Sequence, residues 1–383
     1  MIKKLFIIFL MILFLFPMNI YAEETFLANA KSGILIEATT GEILYEKNKD
    51  DKVAVASMTK MVAQIIILEN IENGTLSWDE KITVSKNAAD MGGSQIWLQQ
   101  GEQMTVRDLM KGITMASAND ATVALAERIA GTENAFVEQM NQKVKELGLK
   151  NTNFVNPTGL DEDNHYSSAY DMAMIAKELL RHEQILEFSS VYEDYIRQDT
   201  PNKFWVVNTN KLIRFYNGAD GLKTGFTDAA GYCMAVTAKR DGMRLIAITL
   251  GEATGSVRNQ ETSDLLDYGF NLYKVDSIKN KGDIITEVDI EKGTKENIKI
   301  SVAEDIVVLK KKSELSKDYD LETKIDNITL PIKQGDVIGK LLIKENNKTI
   351  KTVNLVSLED VNKLGYFKTI FATIKDILTG NMI

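Results

Sequence analysis

Residues 222–250 read LKTGFTDAAGYCMAVTAKRDGMRLIAITL, and the fold turns on them. Two apolar runs, 232–239 and 243–250, meet at Asp241-Gly242, a dipeptide that supplies the positive φ a two-residue hairpin needs. Lys223 begins a glycine-punctuated strand just ahead of that hairpin. Far upstream, residues 32–46 carry a second hairpin pattern: Ile34, Leu35 and Ile36, the turn Thr39-Thr40-Gly41, then Ile43, Leu44 and Tyr45. Between the two lies a stretch of helical patterns, from about 57 to 187, including 58–72, 106–130 and 135–147. Ser168-Ala169-Tyr170-Asp171 reads as a capping box that opens a further helix. A last helix follows at 263–273. Strand, helices, strands and helix in that order predict an α/β domain whose antiparallel sheet draws strands from both ends of the segment.

Outside this core the composition changes. After Val275, short β-type runs recur at 284–290, 298–302, 305–310, 328–332, 337–343 and 349–356, predicting a small all-β domain. At the start, Lys3 and Lys4 precede the twelve apolar residues 5–16, then Pro17 and a short polar stretch ending at Ala22. That is the charged, apolar and small-residue succession of a secretory signal. Twelve residues are short for a span of roughly 30 Å of hydrocarbon, yet an uncleaved anchor is the alternative, and Ile20 is larger than a cleavage site prefers. Either reading puts the body of the protein outside the cytoplasm. The chain thus divides into 1–22 (signal), 23–275 (α/β domain), 276–358 (β-domain) and 359–383 (tail).

Composition excludes several function classes. With 45 Lys and Arg against 54 Asp and Glu the net charge is −9, unsuited to general nucleic-acid binding, which needs basic surface. A hydrophobic content of 44 % excludes a disordered chain. Cys233 is the only cysteine, so neither an internal disulfide nor a thiolate metal cluster is possible. The two histidines, His165 and His182, are too few for a His-rich zinc site. His165 lies among Asp161, Glu162 and Asp163, but the stretch lacks the ligand spacing of a calcium or zinc loop and reads as a polar loop before the next helix. Cys233, inside a strand pattern, reads as a small buried hydrophobe. Gly92-Gly93-Ser94 reads as a surface turn, with a loop near the site as the alternative.

Three short strings stand in order: Ser57-Met58-Thr59-Lys60, Ser117-Ala118-Asn119 and Lys223-Thr224-Gly225. Each alone is weak. Ser85-Lys86-Asn87 also matches the middle one. In order, each at an element boundary, they describe a nucleophile with a built-in base. Ser57 and Lys60 fall on the same face of a helix start, one turn apart. A neutral Lys60 could take the hydroxyl proton, and burial with a second lysine nearby, Lys223, lowers its pKa. Lys223 also offers positive charge to an anionic substrate. Backbone N–H groups at Ser57 and Phe226 would pair as an oxyanion hole.

On these strings, which with Asp at the middle position of the second occur together in class A β-lactamases and penicillin-binding proteins, the chain resembles the low-molecular-mass penicillin-binding proteins, the serine-type D-alanyl-D-alanine carboxypeptidases. Asn156-Pro157-Thr158-Gly159-Leu160-Asp161 and the stretch from His165 to Ala173 match further family segments. The resemblance runs from about 28 to 275 and more loosely through the β-domain and tail. It implies Ser57 as the acylated nucleophile, Lys60 as its proton acceptor and Ser117 as the relay toward the leaving amine. Asn119 would help to place the substrate, and Lys223 and Thr224 would hold its terminal carboxylate, with Arg258 assisting. Some relatives carry His where this chain has Phe226, so only a backbone role carries over there. The substrate implied is a peptidoglycan stem peptide, with β-lactams as acylating mimics and no metal or organic cofactor. Two rivals stand beside this reading. A class A β-lactamase would carry a deacylating Glu in a Glu-x-x-x-Asn context, which 150–156 lacks, and would have no room for the β-domain. A non-catalytic penicillin-binding scaffold would be expected to have lost Ser57, Lys60 or Lys223.

In the tail, Leu364, Phe367, Phe371, Ile374 and Leu378 fall at helical spacing, widened by Ile370 and Ile377. An apolar face on a weakly basic segment predicts a helix lying in the interface of an anionic membrane, holding the protein peripherally on the outer face of the cytoplasmic membrane. Docking on the protein body is the alternative.

Overall fold

The computed structural model describes residues 26–365, apart from 199, 316, 317 and 327; the signal expected over 1–22, and the tail helix expected from 364 except for its first two residues, lie outside them. The expected sheet forms: β1 (Ser32–Glu37), β2 (Ile43–Lys47), β7 (Ala219–Thr227), β8 (Gly231–Arg240) and β9 (Met243–Glu252) assemble in the order β2-β1-β9-β8-β7. Every neighbouring pair is antiparallel. Ile34 lies opposite Ile248, so the first strand closes on the last, and Asp241 takes the positive φ that the turn requires.

Side chains alternate across this sheet because the strand period is two. Ile34, Ile36, Ala235, Ile246 and Ile248 face a core shared with the helical lobe. Leu35, Met234, Val236, Leu245 and Ala247 face the opposite way, against the long C-terminal helix of the domain. The central helix α1 (Lys60–Glu72) is buried on every side from Lys60 to Leu68, as befits a helix inside a lobe rather than on its surface. Around it stand α2 (Val106–Lys111), α3 (Asn119–Ala130), α4 (Glu133–Glu146) and α5 (Ala169–Leu179). Ser168 caps α5 as expected, its side chain accepting from the Asp171 N–H.

Three expectations are corrected. The single helix expected over 106–130 is two: α2 continues into a π-helical segment, Gly112–Ala116, and breaks at Ser117, whose φ of 63° is left-handed. The helix expected from 263 begins eight residues earlier, as α6 (Gly255–Leu272), capped by the Thr254 side chain. Residues 328–332 form no strand; the position is taken by Asp320–Ile325.

The β-domain holds a two-stranded sheet, β10 (Tyr273–Lys279) with β13 (Ile306–Lys311). Its larger sheet joins β11 (Ile284–Asp289), β12 (Asn297–Val302), β16 (Lys348–Ser357), β15 (Val337–Glu345) and β14 (Asp320–Ile325) in that order. Ile298, Ile300, Leu341, Ile343, Val353 and Leu355 form its core. Two small two-stranded antiparallel sheets complete the domain: β3 (Lys81–Thr83) with β4 (Gln103–Thr105), and β5 (Glu193–Ile196) with β6 (Phe204–Val207).

Candidate active site

Ser57 stands in a single 3₁₀ turn, Ala56–Thr59, directly ahead of α1. The turn sets Lys60 one helical step on, and its Nζ lies 2.8 Å from Ser57 Oγ. The amine also donates to the carbonyl of Thr158 over 2.6 Å. That carbonyl is itself fixed: Asn156 Oδ1 accepts from the N–H of Thr158 and Gly159 and from the Thr158 hydroxyl, closing an Asx turn. Lys60 is fully buried. Burial above all, and then the charge of Lys223, hold its pKa well below the ordinary lysine range, with Asp120 opposing. Once the amine has lost its proton, with one N–H committed to Thr158, its lone pair is free to meet the Ser57 hydroxyl.

Two glycines let the backbone close on Ser57. A Cβ on Gly159, at φ +83°, would lie 1.9 Å from the Ala56 carbonyl oxygen. A Cβ on Gly225 of β7 would lie 2.8 Å from the Val55 carbonyl oxygen and 3.1 Å from the Ser57 nitrogen. Glycine is therefore required at both places by close approach.

The other two strings meet across the cleft. Lys223, on β7, donates to Ser117 Oγ over 2.8 Å and to the Thr224 carbonyl over 2.8 Å. Lys223 is buried, and desolvation first, then the Arg258 guanidinium, push its pKa down to about 7. Arg258 sits in the first turns of α6, its Nη1 3.5 Å from the Cys233 carbonyl. The left-handed turn at Ser117 lies between the π-helical segment and α3; strained conformations of this kind concentrate at functional sites. Asn119 donates from Nδ2 to the Gly92 carbonyl over 2.7 Å and from its backbone to the Ser94 carbonyl. Gly92-Gly93-Ser94, expected as a surface turn, is thus fastened to the site. Asn119 Oδ1 is buried and has no donor among the described residues. Thr224 donates from its hydroxyl to Thr209 Oγ1 over 2.7 Å. The Phe226 ring is half exposed and packs on Tyr232, with centroids 4.3 Å apart.

Sequence reasoning gave no role to Thr158, Asn156, Thr209 or Asp120. Asp120 is buried beside Asn119, its carboxylate accepting from the Ile96, Leu98 and Ala121 N–H groups. The one signal for it was a lone acid inside an alanine-rich apolar run. His165, expected in a polar loop, is buried. Its Nδ1 accepts from the Val155 N–H, so Nε2 carries the hydrogen and donates to Thr59 Oγ1 over 2.8 Å. Both nitrogens are used in holding the turn around Thr158 against α1.

Comparison with known proteins agrees with this geometry. A family model described as D-alanyl-D-alanine carboxypeptidase (Peptidase S11) matches residues 20–254, and one described as the penicillin-binding protein 5 C-terminal domain matches 273–363. The chain is 45 % identical over 348 residues to the D-alanyl-D-alanine carboxypeptidase DacF of Bacillus subtilis, covering 91 % of this chain and 90 % of that one. To DacC of Escherichia coli, also a D-alanyl-D-alanine carboxypeptidase, it is 33 % identical, with 93 % and 91 % covered. The crystal structure of penicillin-binding protein 5 from Haemophilus influenzae superposes with a TM-score of 0.68 at 32 % identity, over 88 % of this chain and 98 % of that one. The ampicillin-bound penicillin-binding protein D2 of Listeria monocytogenes gives 0.58 at 34 % identity, over 63 % of this chain and 98 % of the other. With both of its domains matched, the chain belongs to the Peptidase S11 family of D-alanyl-D-alanine carboxypeptidases.

Proposed function

We propose that the chain is a serine D,D-carboxypeptidase that removes the terminal D-alanine from peptidoglycan stem peptides, and that β-lactams acylate it as substrate mimics. The observation that carries this reading is the pair of short contacts between buried groups, Lys60 Nζ to Ser57 Oγ and Lys223 Nζ to Ser117 Oγ, both 2.8 Å. Ser57 Oγ attacks the penultimate D-Ala carbonyl while its proton passes to neutral Lys60. The developing oxyanion is met by the Ser57 and Phe226 N–H groups. Ser117, hydrogen-bonded to Lys223, hands its hydroxyl proton to the departing amine nitrogen as the peptide bond breaks and is reprotonated from Lys60, so that the proton taken from Ser57 leaves with D-alanine. Water then cleaves the Ser57 ester, restoring the hydroxyl and freeing the shortened peptide. The unpartnered Asn119 Oδ1 suits an acceptor for a substrate amide N–H, since a buried acceptor without a donor costs about 1–3 kcal/mol. Lys223, Thr224 and Arg258 supply charge and hydroxyl to the terminal carboxylate, and Gly225 lets β7 lie against the nucleophile.

The β-lactamase alternative gains no support: among the described residues, Ser57 and Lys60 bond to each other and to the Thr158 carbonyl, with no carboxylate between them. The scaffold alternative would leave the Lys60–Ser57 pair without a use. We place the enzyme outside the cytoplasmic membrane, exported by residues 1–22 and held peripherally by the tail. The support for this is the sequence pattern at the two ends. The deciding experiment is intact-mass and peptide mass spectrometry after incubation with benzylpenicillin. One penicilloyl adduct on the Ser57 peptide, absent in Ser57→Ala, is expected; an adduct elsewhere, or persisting in the variant, would overturn the mechanism.

A further inference from the structure

Away from the catalytic cleft, α1 and α5 run side by side in the same direction. The residues that precede them pair through the Val53 and Ser167 backbones, and their far ends bring together Glu69, Glu178 and His182. One ligand atom from each of these three lies within 4.8 Å of the others. His182 is 8 % exposed. Its Nδ1 lies 2.8 Å from the carboxylate of Glu72, which fixes the hydrogen on Nδ1, because a carboxylate can only accept. In the neutral ring Nε2 then carries the lone pair, and it is buried with no hydrogen-bond partner among the described residues.

We propose that Glu69, Glu178 and His182 form a binding site for a divalent ion of the zinc type, with Glu72 as the outer carboxylate that orients the imidazole. A carboxylate on one ring nitrogen and a free lone pair on the other is the arrangement metal-bound histidines adopt, and it raises the basicity of the ligating nitrogen. One imidazole with two carboxylates is a ligand set that zinc accepts. Tetrahedral ligands at about 2.1 Å stand roughly 3.4 Å apart, so the three atoms need to close by little more than 1 Å. Glu69 and Glu178 keep enough side-chain exposure, 33 % and 19 %, to turn. Both helices present their negative dipole ends here, which favours a cation. Two cations already touch the acids. Lys143 Nζ is 2.6 Å from Glu69 but also 3.2 Å from Glu146, to which it can withdraw. Arg181, largely exposed, is 3.2 Å from Glu178. The site begins nine residues beyond Lys60 on α1, about 14 Å along the helix, and so ties the far end of the helix that starts at the nucleophile.

The test is titration of the full-length protein with Zn²⁺ alone, by equilibrium dialysis and calorimetry, with Co²⁺ absorption as the reporter of ligand geometry. One equivalent per chain is expected for the wild type. Glu72→Gln should weaken binding by roughly 10- to 100-fold, and His182→Gln or Glu178→Gln by at least as much, with penicillin acylation unchanged in the metal-free variants. If His182→Gln disturbs folding by circular dichroism, the more exposed Glu72→Gln and Glu178→Gln decide. No uptake by the wild type, or equal affinity in the folded variants, would overturn the proposal.

Discussion

Gly225→Ala adds one carbon at the point where β7 meets the nucleophile. That Cβ would stand 2.8 Å from the Val55 oxygen, 3.1 Å from Ala56 Cβ and 3.1 Å from the Ser57 nitrogen. Carbon atoms rest at about 3.5–4.0 Å from one another, so the Val55–Ser57 segment must retreat by roughly half an ångström. Lys60 does not move with it, because its amine is held by the Thr158 carbonyl, and the 2.8 Å contact to Ser57 Oγ lengthens. A 1 Å misplacement at a reacting centre costs up to about 10²-fold, so half of that predicts a loss near 10-fold, about 1.4 kcal/mol in the barrier. Overpacking should also lower stability by about 1–3 kcal/mol. Stopped-flow acylation by a fluorescent penicillin gives the rate, and urea unfolding gives the stability. A variant that is destabilised yet acylates within twofold of wild type would refute the claim that the approach of β7 sets the Ser57 geometry.

Lys60→Ala should lower the acylation rate by about 10²- to 10⁴-fold, since it removes the proton acceptor. The pH profile of kcat/KM should be bell-shaped. Activity rises as Lys60 loses its proton and falls through about pH 7 as Lys223 loses the charge that meets the carboxylate. A substrate amidated at its C-terminus should lack the alkaline limb; an identical limb on both substrates would contradict the role given to Lys223. Burial lowers the His165 pKa from 6.5 to about 4, with Glu162 and Asp161 opposing. Its neutral form therefore stabilises the fold above about pH 6.5, and that contribution is lost as the pH falls toward 4. His165→Gln should flatten the loss of thermal stability over that range, and an unchanged slope would rule the group out.

How far the sequence could be read depended on the kind of signal. Ser57, Lys60 and Lys223 were legible because their chemistry shows as residue type at fixed spacing, and the Asp241-Gly242 turn because few residues adopt its backbone. The break at Ser117 was not legible. Ala116-Ser117-Ala118 contains no glycine or proline, and its left-handed turn is imposed by the lobe around it. Thr158 acts through a carbonyl, which carries no residue signature; only the Asn156-Pro157-Thr158-Gly159 turn marked the place. Asp320–Ile325 escaped notice because it is an edge strand, mostly exposed, and so lacks the apolar alternation of a half-buried one. Glu69 and Glu72 lie on α1, and Glu178 and His182 on α5 and in the turn after it, more than a hundred residues on, and no local pattern joins them.

The central claim is that Ser57 carries a D,D-carboxypeptidase reaction, and release of D-alanine from a stem-pentapeptide mimic tests it most directly. Wild-type protein should free one D-alanine per peptide and leave the tetrapeptide, while Ser57→Ala, folded by circular dichroism, should free none above background. Release at the wild-type rate by Ser57→Ala would contradict the account, as would a wild-type protein that binds penicillin at Ser57 yet leaves the pentapeptide intact.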